Sequence, residues 1–538
     1  MYVQELDPVA GSLGLSALVA ALPLVIVLVL LGGVRMKAHL AGLTGLLAAV
    51  LVARLAYGMP LGQALSGGAQ GAAFGLFPIL WIVVNALWVY RMTVRTRHFD
   101  ILRRSFGRLS DDPRIQALVV AFCFGALLEA LAGFGAPVAI SAVMLVALGF
   151  EPVRAAVVAL VANTAPVAFG AMGTPVVTLA QVTGLPLDSV ASVVGRQTPL
   201  LALVVPLVLV WLVDGRRGLR ETWVPALACG VAFAVAQFAA STYVSAQLAD
   251  IGAALAGAGA LAAVPRARVP AAASVRASVL TGVRSDELDQ EDPPREVLCA
   301  YAPYALIVAL FSVAQIPAVK DRLARATRTH DWPFLNVAGP DGEPVAGNVF
   351  TWPLASTGGT LVLLAGIATA AVLGVHARVA VKEWLATVHE LRFAILTVTS
   401  VLALAYVMNL SGQAATIGHC VAAAGAGLAF LSPVLGWFGV AVTGSDTSAN
   451  ALFGALQVTA ARESGLPPDL LAAANSSGGV LGKMISPQNL TIACAAVGLA
   501  GREGDLLRKV LPWSLGLLLV MCLIVVGQST PVLGWMLP

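Results

Sequence analysis

The sequence predicts an all-α polytopic membrane protein, with about 12 transmembrane helices and two re-entrant hairpins in an inverted repeat. Of its 538 residues, 59% are hydrophobic and only 11% are charged, and the mean hydropathy is +0.88. Soluble domains carry roughly 25% charged residues, so this composition indicates a membrane protein. The repeat is predicted because two interrupted apolar segments, 152–185 and 468–496, carry similar motifs 312 residues apart.

The repeated motif begins with asparagine and ends with proline. Glycine and proline interrupt these segments, and irregular backbone at membrane depth is tolerated only where protein or a water-filled cavity surrounds it. Interrupted hydrophobic segments at matching places in two halves of a chain indicate the binding site of a transporter. The offset of 312 pairs Asn163 with Asn475, Thr164 with Ser476, Gly170 with Gly482, Met172 with Met484, Thr174 with Ser486 and Pro175 with Pro487.

The first repeat is predicted to cover residues 1–222. Arginines among apolar residues at 91–112 predict an interfacial amphipathic helix on the cytoplasmic side, with a solvated basic loop as the alternative. Residues 114–150 form either two spans or one re-entrant hairpin, and the parity of the crossings favours the hairpin. The broken segment 152–185 follows it. Runs of roughly 20 apolar residues, the length that a span needs, lie near 13–32, 38–57, 70–90 and 197–213.

The second repeat is predicted to cover 296–538. It follows a linking region at 223–295, which consists of two linking spans and a charged cytoplasmic linker at 265–295. The second repeat contains a hairpin at 433–460 and the broken segment 468–496. The short basic loops are predicted to lie inside, which places both termini outside. The loop 318–353 would then also lie outside despite its basic residues, because long polar loops cross regardless of their charge. The other spans lie near 223–241, 245–264, 296–317, 355–375, 391–410 and 511–530.

Three charged residues stand inside apolar segments: Glu129, Asp446 and Lys483. A charge inside a membrane is costly and usually faces a cavity or a partner. One interpretation is a structural ion pair of Lys483 with either carboxylate. The other is a binding and coupling centre, in which a carboxylate gains and loses a proton. Lys483 has Ala171 as its counterpart, so the two half-sites are expected to differ and the second to hold an anion more strongly.

Broken helices explain the neutral polar residues of the motif. A half-helix N-terminus offers unpaired N–H groups and a partial positive charge, which suit a carboxylate. We therefore expect Asn163-Thr164 and Asn475-Ser476-Ser477 to lie at two such ends that face each other. Packing and backbone hydrogen bonding are the alternative roles.

Other polar residues are expected to be structural. Arg196 is interpreted as a snorkelling or capping residue, with contact to an anion as the alternative. His419 is interpreted as a packed interfacial histidine, with a proton relay as the alternative. Asn85 and Asn409 are expected to be structural counterparts of each other. The six scattered cysteines indicate neither a disulfide framework nor a zinc site. No cofactor is expected, and the motifs His-Glu-x-x-His and Gly-x-Ser-x-Gly are absent, which disfavours a membrane-embedded enzyme.

Four blocks of this sequence resemble the lactate permease family, and the resemblance covers nearly the whole chain. It implies a proton-coupled permease for L-lactate, D-lactate and glycolate in the bacterial plasma (inner) membrane. It also implies kinship with the ion-transporter superfamily, in which several members bind carboxylates at hairpin tips and move as an elevator. The blocks are Phe122–Pro137 with Glu129, Asn163–Gly170, Thr443–Ser448 and Gly482–Gln488.

The leading hypothesis is a secondary active symporter of a proton with the lactate or glycolate anion. Asn163, Thr164, Asn475, Ser476 and Ser477 would bind the substrate. Lys483 would supply positive potential, and Glu129 or Asp446 would carry the proton. A sodium-coupled carboxylate symporter is the alternative. The lipid bilayer is an expected partner, a homodimer is a further expectation, and nucleic acid is not expected. The hairpin tips expected to close over the substrate are Gly133, Phe134 and Gly135 in the first half and Ser445, Asp446 and Thr447 in the second.

Overall fold

Long apolar runs form long helices here, because backbone groups surrounded by lipid must be satisfied within their own segment. A computed structural model describes residues 1–107, 109–110, 112–133, 135–264 and 292–538. In these residues, ten helical segments are long and apolar enough to cross a membrane, or up to eleven if one bent pair counts as a single span. The prediction of a polytopic helical membrane protein is confirmed, and the number of 12 crossings stays a prediction.

The first half and the linking region contain twelve α-helices among the described residues. Short π-helical or 3₁₀ stretches join several of them. The longest helix, with 57 residues, bends at Asp214 and Gly215 and is long enough for two crossings. The helices are α1 (Leu13–Leu28), α2 (Ala38–Leu55), α3 (Leu61–Phe74), α4 (Trp81–Arg95), α5 (His98–Gly107), α6 (Pro113–Ala117), α7 (Gly125–Ala132), α8 (Ala136–Ala147), α9 (Pro152–Ala162), α10 (Gly170–Thr183), α11 (Leu187–Tyr243) and α12 (Ala249–Ala263).

The second half contains eleven α-helices and three of the four short strands in the described part of the chain. The helices are α13 (Pro294–Ala314), α14 (Pro317–Ala324), α15 (Gly358–Val372), α16 (Ala377–Glu390), α17 (Arg392–Ser411), α18 (Gln413–Val421), α19 (Leu428–Thr443), α20 (Asp446–Ser464), α21 (Pro468–Lys483), α22 (Pro487–Ala496) and α23 (Glu503–Gln528). The strands of the whole described chain are β1 (Tyr2–Val3), β2 (Thr327–Asp331), β3 (Val337–Ala338) and β4 (Val349–Pro353).

Four short strands accompany the predicted helices in the described chain. β1 pairs with β3 in parallel, and β2 pairs with β4 in antiparallel register. The phenol of Tyr2 anchors β1 to the helices by donating to the backbone oxygens of Tyr57 and Ser411. The N-terminal segment and the loop 318–353 therefore lie on the same side of the helices, as the predicted topology requires.

Each half contains a helical hairpin followed by a broken helix. The first hairpin joins α7 to α8, and the second joins α19 to α20. Gly135 (φ 90°) and Gly444 (φ 74°) occupy the two tips in the left-handed region, which glycine adopts without steric cost. The broken helices are α9 with α10, bent by 64°, and α21 with α22.

The breaks do not lie where the sequence suggested. In the second half, α21 runs unbroken through Asn475 to Lys483, so the expected helix end at Asn475–Ser477 is wrong. The glycines there serve close packing: a Cβ on Gly478 or Gly482 would lie 2.1 Å from a backbone oxygen of α19. In the first half, α9 ends at Ala162, so Asn163 follows a helix C-terminus and not an N-terminus.

The helix N-termini at the two breaks lie farther along the chain than the Asn163 and Asn475 motifs. Ser486 caps α22, with Pro487 as its first residue. In the first half, left-handed backbone at Ala171, Met172 and Gly173 precedes Thr174-Pro175. Proline suits the first turn of a helix because it lacks the N–H that would go unpaired there.

The segment 91–112 also differs from its prediction. Its main helix, α5, is amphipathic, but protein covers its apolar face, since Phe99, Leu102 and Phe106 are buried. It packs against α13 and the π-helical stretch before α7, so it does not expose that face to lipid as an interfacial helix would. Most of the predicted linker 265–295 lies outside the described residues.

A buried arginine at the end of the first hairpin yields the first stability prediction. Arg114 is fully buried and pairs with Asp112 (2.7 Å), Asp214 (3.2 Å) and Glu221 (2.6 Å). Replacing Arg114 with methionine removes the cation that pairs with Asp112 and Asp214, while Glu221 keeps its ion pair with Arg217. We expect a loss of about 3–5 kcal/mol in unfolding free energy. Thermal unfolding in detergent measures it. The surface substitution Arg502→Gln is the control, and an equal effect of both substitutions would contradict the prediction.

Candidate functional site

A cavity of about 520 Å³ lies where the two hairpins and the two broken helices meet. The starts of α17 and α2 close its other side, with the rings of Phe393 and His39 stacked at a centroid distance of 4.9 Å. Its volume is within the range of small-molecule sites, about 300–1,000 Å³. Of the residues that the sequence singled out, the lining includes Glu129, Gly133, Gly135, Ser445, Asp446, Thr447 and Lys483.

Four helix N-termini converge on this cavity. Gly135 lines it at the start of α8, Pro175 in the first regular turn of α10, and Ser445 at the start of α20. Gln488 and Asn489 line it in the first turn of α22. The unpaired N–H groups and the positive dipole end of each helix attract negative charge. The cavity is therefore suited to an anion.

The cavity wall contains a buried ion pair between Lys483 and Glu129. The Lys483 Nζ lies 2.6 Å from Glu129 Oε1, and the two residues are 6% and 2% exposed. Lys483 also donates to the backbone oxygen of Gly133 at 3.2 Å, and Asn163 Nδ2 donates to Glu129 Oε2 at 2.9 Å. The pair thus ties the first hairpin to both broken helices, at a point that faces the cavity.

Asp446 has a different environment. Its Oδ2 accepts hydrogen bonds from Ser476 Oγ (2.6 Å) and Asn450 Nδ2 (3.3 Å). Its Oδ1 has no hydrogen-bond partner among the described residues, and it forms no ion pair with them. Of the two carboxylates, Glu129 is therefore the one that pairs with Lys483.

The five residues predicted to bind substrate do not line the cavity. Their side chains contact neighbouring helices in the layer behind the cavity wall, and not the cavity at the helix breaks. Asn163 and Ser476 orient Glu129 and Asp446, as described above. Asn475 Nδ2 donates to Asn450 Oδ1 at 2.8 Å, and Thr164 Oγ1 donates to the backbone oxygen of Val161 in the preceding helix, α9. Ser477 Oγ is buried without a partner in the described structure. Phe134, at the first tip, lies outside the described residues.

Several functional candidates were missed from the sequence. Asn450 joins the broken helices by donating to the backbone oxygen of Pro175 at 3.1 Å, and Gln488 and Asn489 line the cavity. Asp250 is fully buried on α12 and accepts a hydrogen bond from Gln237 Nε2 at 3.1 Å. The rule that charges in apolar segments are costly would have found Asp250.

The residues expected to be structural have structural partners. Asn85 Nδ2 donates to two backbone oxygens, and Arg196 lies over the ring of Phe238 at 5.9 Å. His419 lies 3.3 Å from Glu463. Asn409 Nδ2 donates to a backbone oxygen of α10 at 3.4 Å, and the residue lines a second cavity.

Comparison with known proteins decides the family. The family model of L-lactate permease matches residues 16–530. This chain belongs to the L-lactate permease family. Similar relatives include an L-lactate permease of Bacillus subtilis, 42% identical with both chains fully covered. A glycolate permease of Escherichia coli is 40% identical over 94% of each chain, and an L-lactate permease of Escherichia coli is 39% identical with both chains fully covered.

Membership of this permease family establishes the general class of the protein. It is a multi-pass transport protein of the bacterial plasma membrane and not an enzyme. Among solved structures, Neisseria gonorrhoeae MtrF matches 88% of this permease and 85% of its own chain, with 15% identity and a TM-score of 0.48.

Proposed function

We propose that the protein is a secondary active transporter that takes up L-lactate, and also D-lactate and glycolate, together with a proton. The relatives named L-lactate permease and glycolate permease support this substrate class. The observation that carries the proposal is the buried Lys483–Glu129 pair on the wall of a cavity lined by helix N-termini. Such a wall attracts a small carboxylate.

Charge compensation at Lys483 explains the coupling. In this structure the ammonium group of Lys483 neutralises Glu129. A substrate carboxylate that binds Lys483 brings a second negative charge into a buried site with one cation. Two carboxylates that share such a site cannot both stay ionised at low cost, and one takes up a proton. Glu129 therefore binds a proton when the substrate binds, and both leave together.

The tip of the second hairpin, with Asp446 and Thr447, orients the 2-hydroxyl end of the substrate. Asp446 lines the cavity, and its Oδ1, which is buried beside Gly479, has no partner in the described structure. When the substrate binds, this oxygen accepts a hydrogen bond from the 2-hydroxyl group. Thr447 and the N–H groups at the start of α20 contribute donors from the same tip. This arrangement selects 2-hydroxymonocarboxylates over acetate, because an unmet buried polar group costs about 1–3 kcal/mol.

Substrate release follows from movement of the hairpins. The matching order of hairpin and broken helix in both halves supports an inverted repeat. The unit formed by the hairpins and broken helices would move as an elevator against the remaining helices, including α2 and α17. The Lys483–Glu129 pair lies inside that unit, so a bound anion and its proton would move together.

A close glycine contact yields a prediction for this site. A Cβ on Gly170 would lie 2.7 Å from Glu129 Oε1 and 3.2 Å from Glu129 Cδ. Overpacking costs about 1–3 kcal/mol, so Gly170→Ala is expected to shift the Glu129 carboxylate within the site. The carboxylate keeps its charge and repels the substrate from its new position, so the KM for lactate is expected to rise about tenfold. Gly516→Ala is the control, because a Cβ there meets nothing within 4 Å. An unchanged KM for Gly170→Ala would contradict the geometry of the pair.

Purified protein in proteoliposomes tests the proposed function. An inward proton gradient is expected to drive accumulation of radiolabelled L-lactate, which D-lactate and glycolate inhibit and acetate inhibits weakly. A sodium gradient at constant pH should drive none. Accumulation that follows the sodium gradient and not the proton gradient would overturn proton coupling. A failure of 2-hydroxymonocarboxylates to compete would overturn the substrate class.

A further inference from the structure

A second cavity, of about 550 Å³, lies at the opposite end of α17 from the candidate site. Phe393 and Val398 line the site cavity near the start of this helix, whereas Tyr406 and Asn409 line the second cavity near its end. The 20 residues of α17 span about 30 Å, which equals the thickness of a bilayer core. The two cavities therefore lie toward opposite faces of the membrane.

Packing between α10 and α20 separates the two cavities. Along α20, Ser448 is the last residue that lines the site cavity, and Ala455, about 10 Å farther on, is the first that lines the second cavity. Arg462 lies about 21 Å from Ser448 along the same helix. Between them, Asn450 donates to the backbone oxygen of Pro175. Gly454 permits the close approach of Leu179, since a Cβ on Gly454 would lie 2.8 Å from its Cδ1. A ligand in the second cavity is therefore distinct from one at Lys483.

The charge of the second cavity comes from Arg462. This arginine is exposed and forms no ion pair with any residue that the structure describes, while the adjacent Glu463 lies 3.3 Å from His419. The ends of four helices meet there. The C-termini of α10 and α20 oppose the N-termini of α11 and α18, so their dipoles offset one another. The guanidinium group therefore makes this cavity attractive to anions.

Neutral hydrogen-bonding groups accompany the arginine. Gln181, Tyr406, Asn409 and Thr459 line the same cavity. The side chain of Gln4, next to β1, closes one wall by donating to the backbone oxygens of Asn409 and Leu410. One cation with several amide and hydroxyl groups matches a small anion with one carboxylate and one hydroxyl.

We infer that this second cavity is an entry site that binds the 2-hydroxymonocarboxylate on the face of the membrane that bears the N-terminus, with Arg462 as its cation. The inference rests on the proposed function for the identity of the substrate. It does not depend on how transport is coupled. Arg462 is exposed, so solvent screens part of its charge, and its loss weakens binding about tenfold on that face alone.

Transport measured separately from each face tests the inference. Right-side-out and inside-out membrane vesicles are prepared from cells that express the full chain, and an antibody to an N-terminal tag reports which face is exposed. Arg462→Gln is expected to raise the KM for radiolabelled L-lactate about tenfold when lactate enters from the N-terminal face. The kcat from that face and the KM from the other face are expected to stay unchanged. Arg462→Lys should retain part of the affinity, and Arg502→Gln, a surface control, should change neither face.

Two results would overturn the inference: a change in KM below twofold at the N-terminal face, or an equal rise at both faces. If Arg462→Gln does not reach the membrane, Gln181→Glu replaces it, because Gln181 is exposed in the cavity and a carboxylate there would compete for Arg462. The same side-specific rise is then expected. A wild-type protein without proton-driven accumulation would contradict the proposed coupling and leave this side-specific effect intact.

Discussion

Replacing Lys483 with methionine is expected to weaken lactate binding about 100-fold and to abolish uptake. The substitution removes the cation that faces the cavity and so removes a charge-assisted hydrogen bond, worth about 1.5–3 kcal/mol. It also leaves Glu129 buried with no cation within 4 Å in the described structure, since Lys483 is its ion-pair partner. A buried carboxylate in that situation repels a second one. Equilibrium binding of radiolabelled lactate to purified protein measures the effect.

Two further variants separate binding from folding. Lys37→Met removes an exposed lysine at the mouth of the same cavity and should weaken binding less than threefold, because solvent screens that charge. The double variant Lys483→Met with Glu129→Gln removes both buried charges, so its thermal stability should recover while its lactate binding should not. Binding by the single Lys483 variant within a few fold of wild type would rule out Lys483 as the anion partner.

The substitution Glu129→Gln has the second large effect that we expect. The amide keeps the shape of the side chain but cannot exchange a proton, and Lys483 stays free for the substrate. We therefore expect proton-driven accumulation of lactate to fall at least tenfold, while exchange of lactate across the membrane at equal pH stays within about twofold of wild type. Both assays use the same proteoliposomes, so differences in reconstitution cancel.

Glu343→Gln is the matched control, because Glu343 is exposed in the loop 318–353. It should leave accumulation and exchange unchanged. If the Glu129→Gln protein still accumulates lactate along a proton gradient, another carboxyl group carries the proton. Asp446 and Asp250 are then the next residues to substitute. Loss of exchange as well as accumulation would instead assign Glu129 a structural role.

The charged residues of the site could be found from the sequence, but their pairing could not. Glu129, Asp446 and Lys483 stand in apolar segments, where a charge is too costly to keep without a role. Lys483 is 354 positions from Glu129, and both carboxylates were equally plausible partners by spacing alone. Only the packing of the first hairpin against α21 decides between them.

Glycine was the main source of error. A pair of glycines can interrupt a helix or permit another helix to approach, and the sequence does not distinguish these uses. Gly478 and Gly479 were interpreted as an interruption, yet α21 is regular through both and packs closely on α19. The Asn475-Ser476-Ser477 motif was therefore expected on the cavity wall but lies in the layer behind it, where Ser476 orients Asp446.

The short strands were unpredictable for a different reason. β1 has only two residues, and its partner β3 lies more than 300 positions away. No local pattern of two residues identifies a strand, because pairing with the neighbouring chain supplies its stability. The hairpin tips, in contrast, were predicted to within a residue or two, since glycine at a left-handed turn is a local requirement.

Proton uptake on lactate binding tests most directly whether Lys483 is shared between Glu129 and the substrate. Lactate is added to purified wild-type protein in weakly buffered solution near neutral pH, and a pH indicator records the protons bound. We expect uptake of about one proton per lactate bound by the wild type and almost none by Glu129→Gln. Tight lactate binding by the wild type without proton uptake, or equal uptake by both proteins, would contradict the proposed exchange at Lys483.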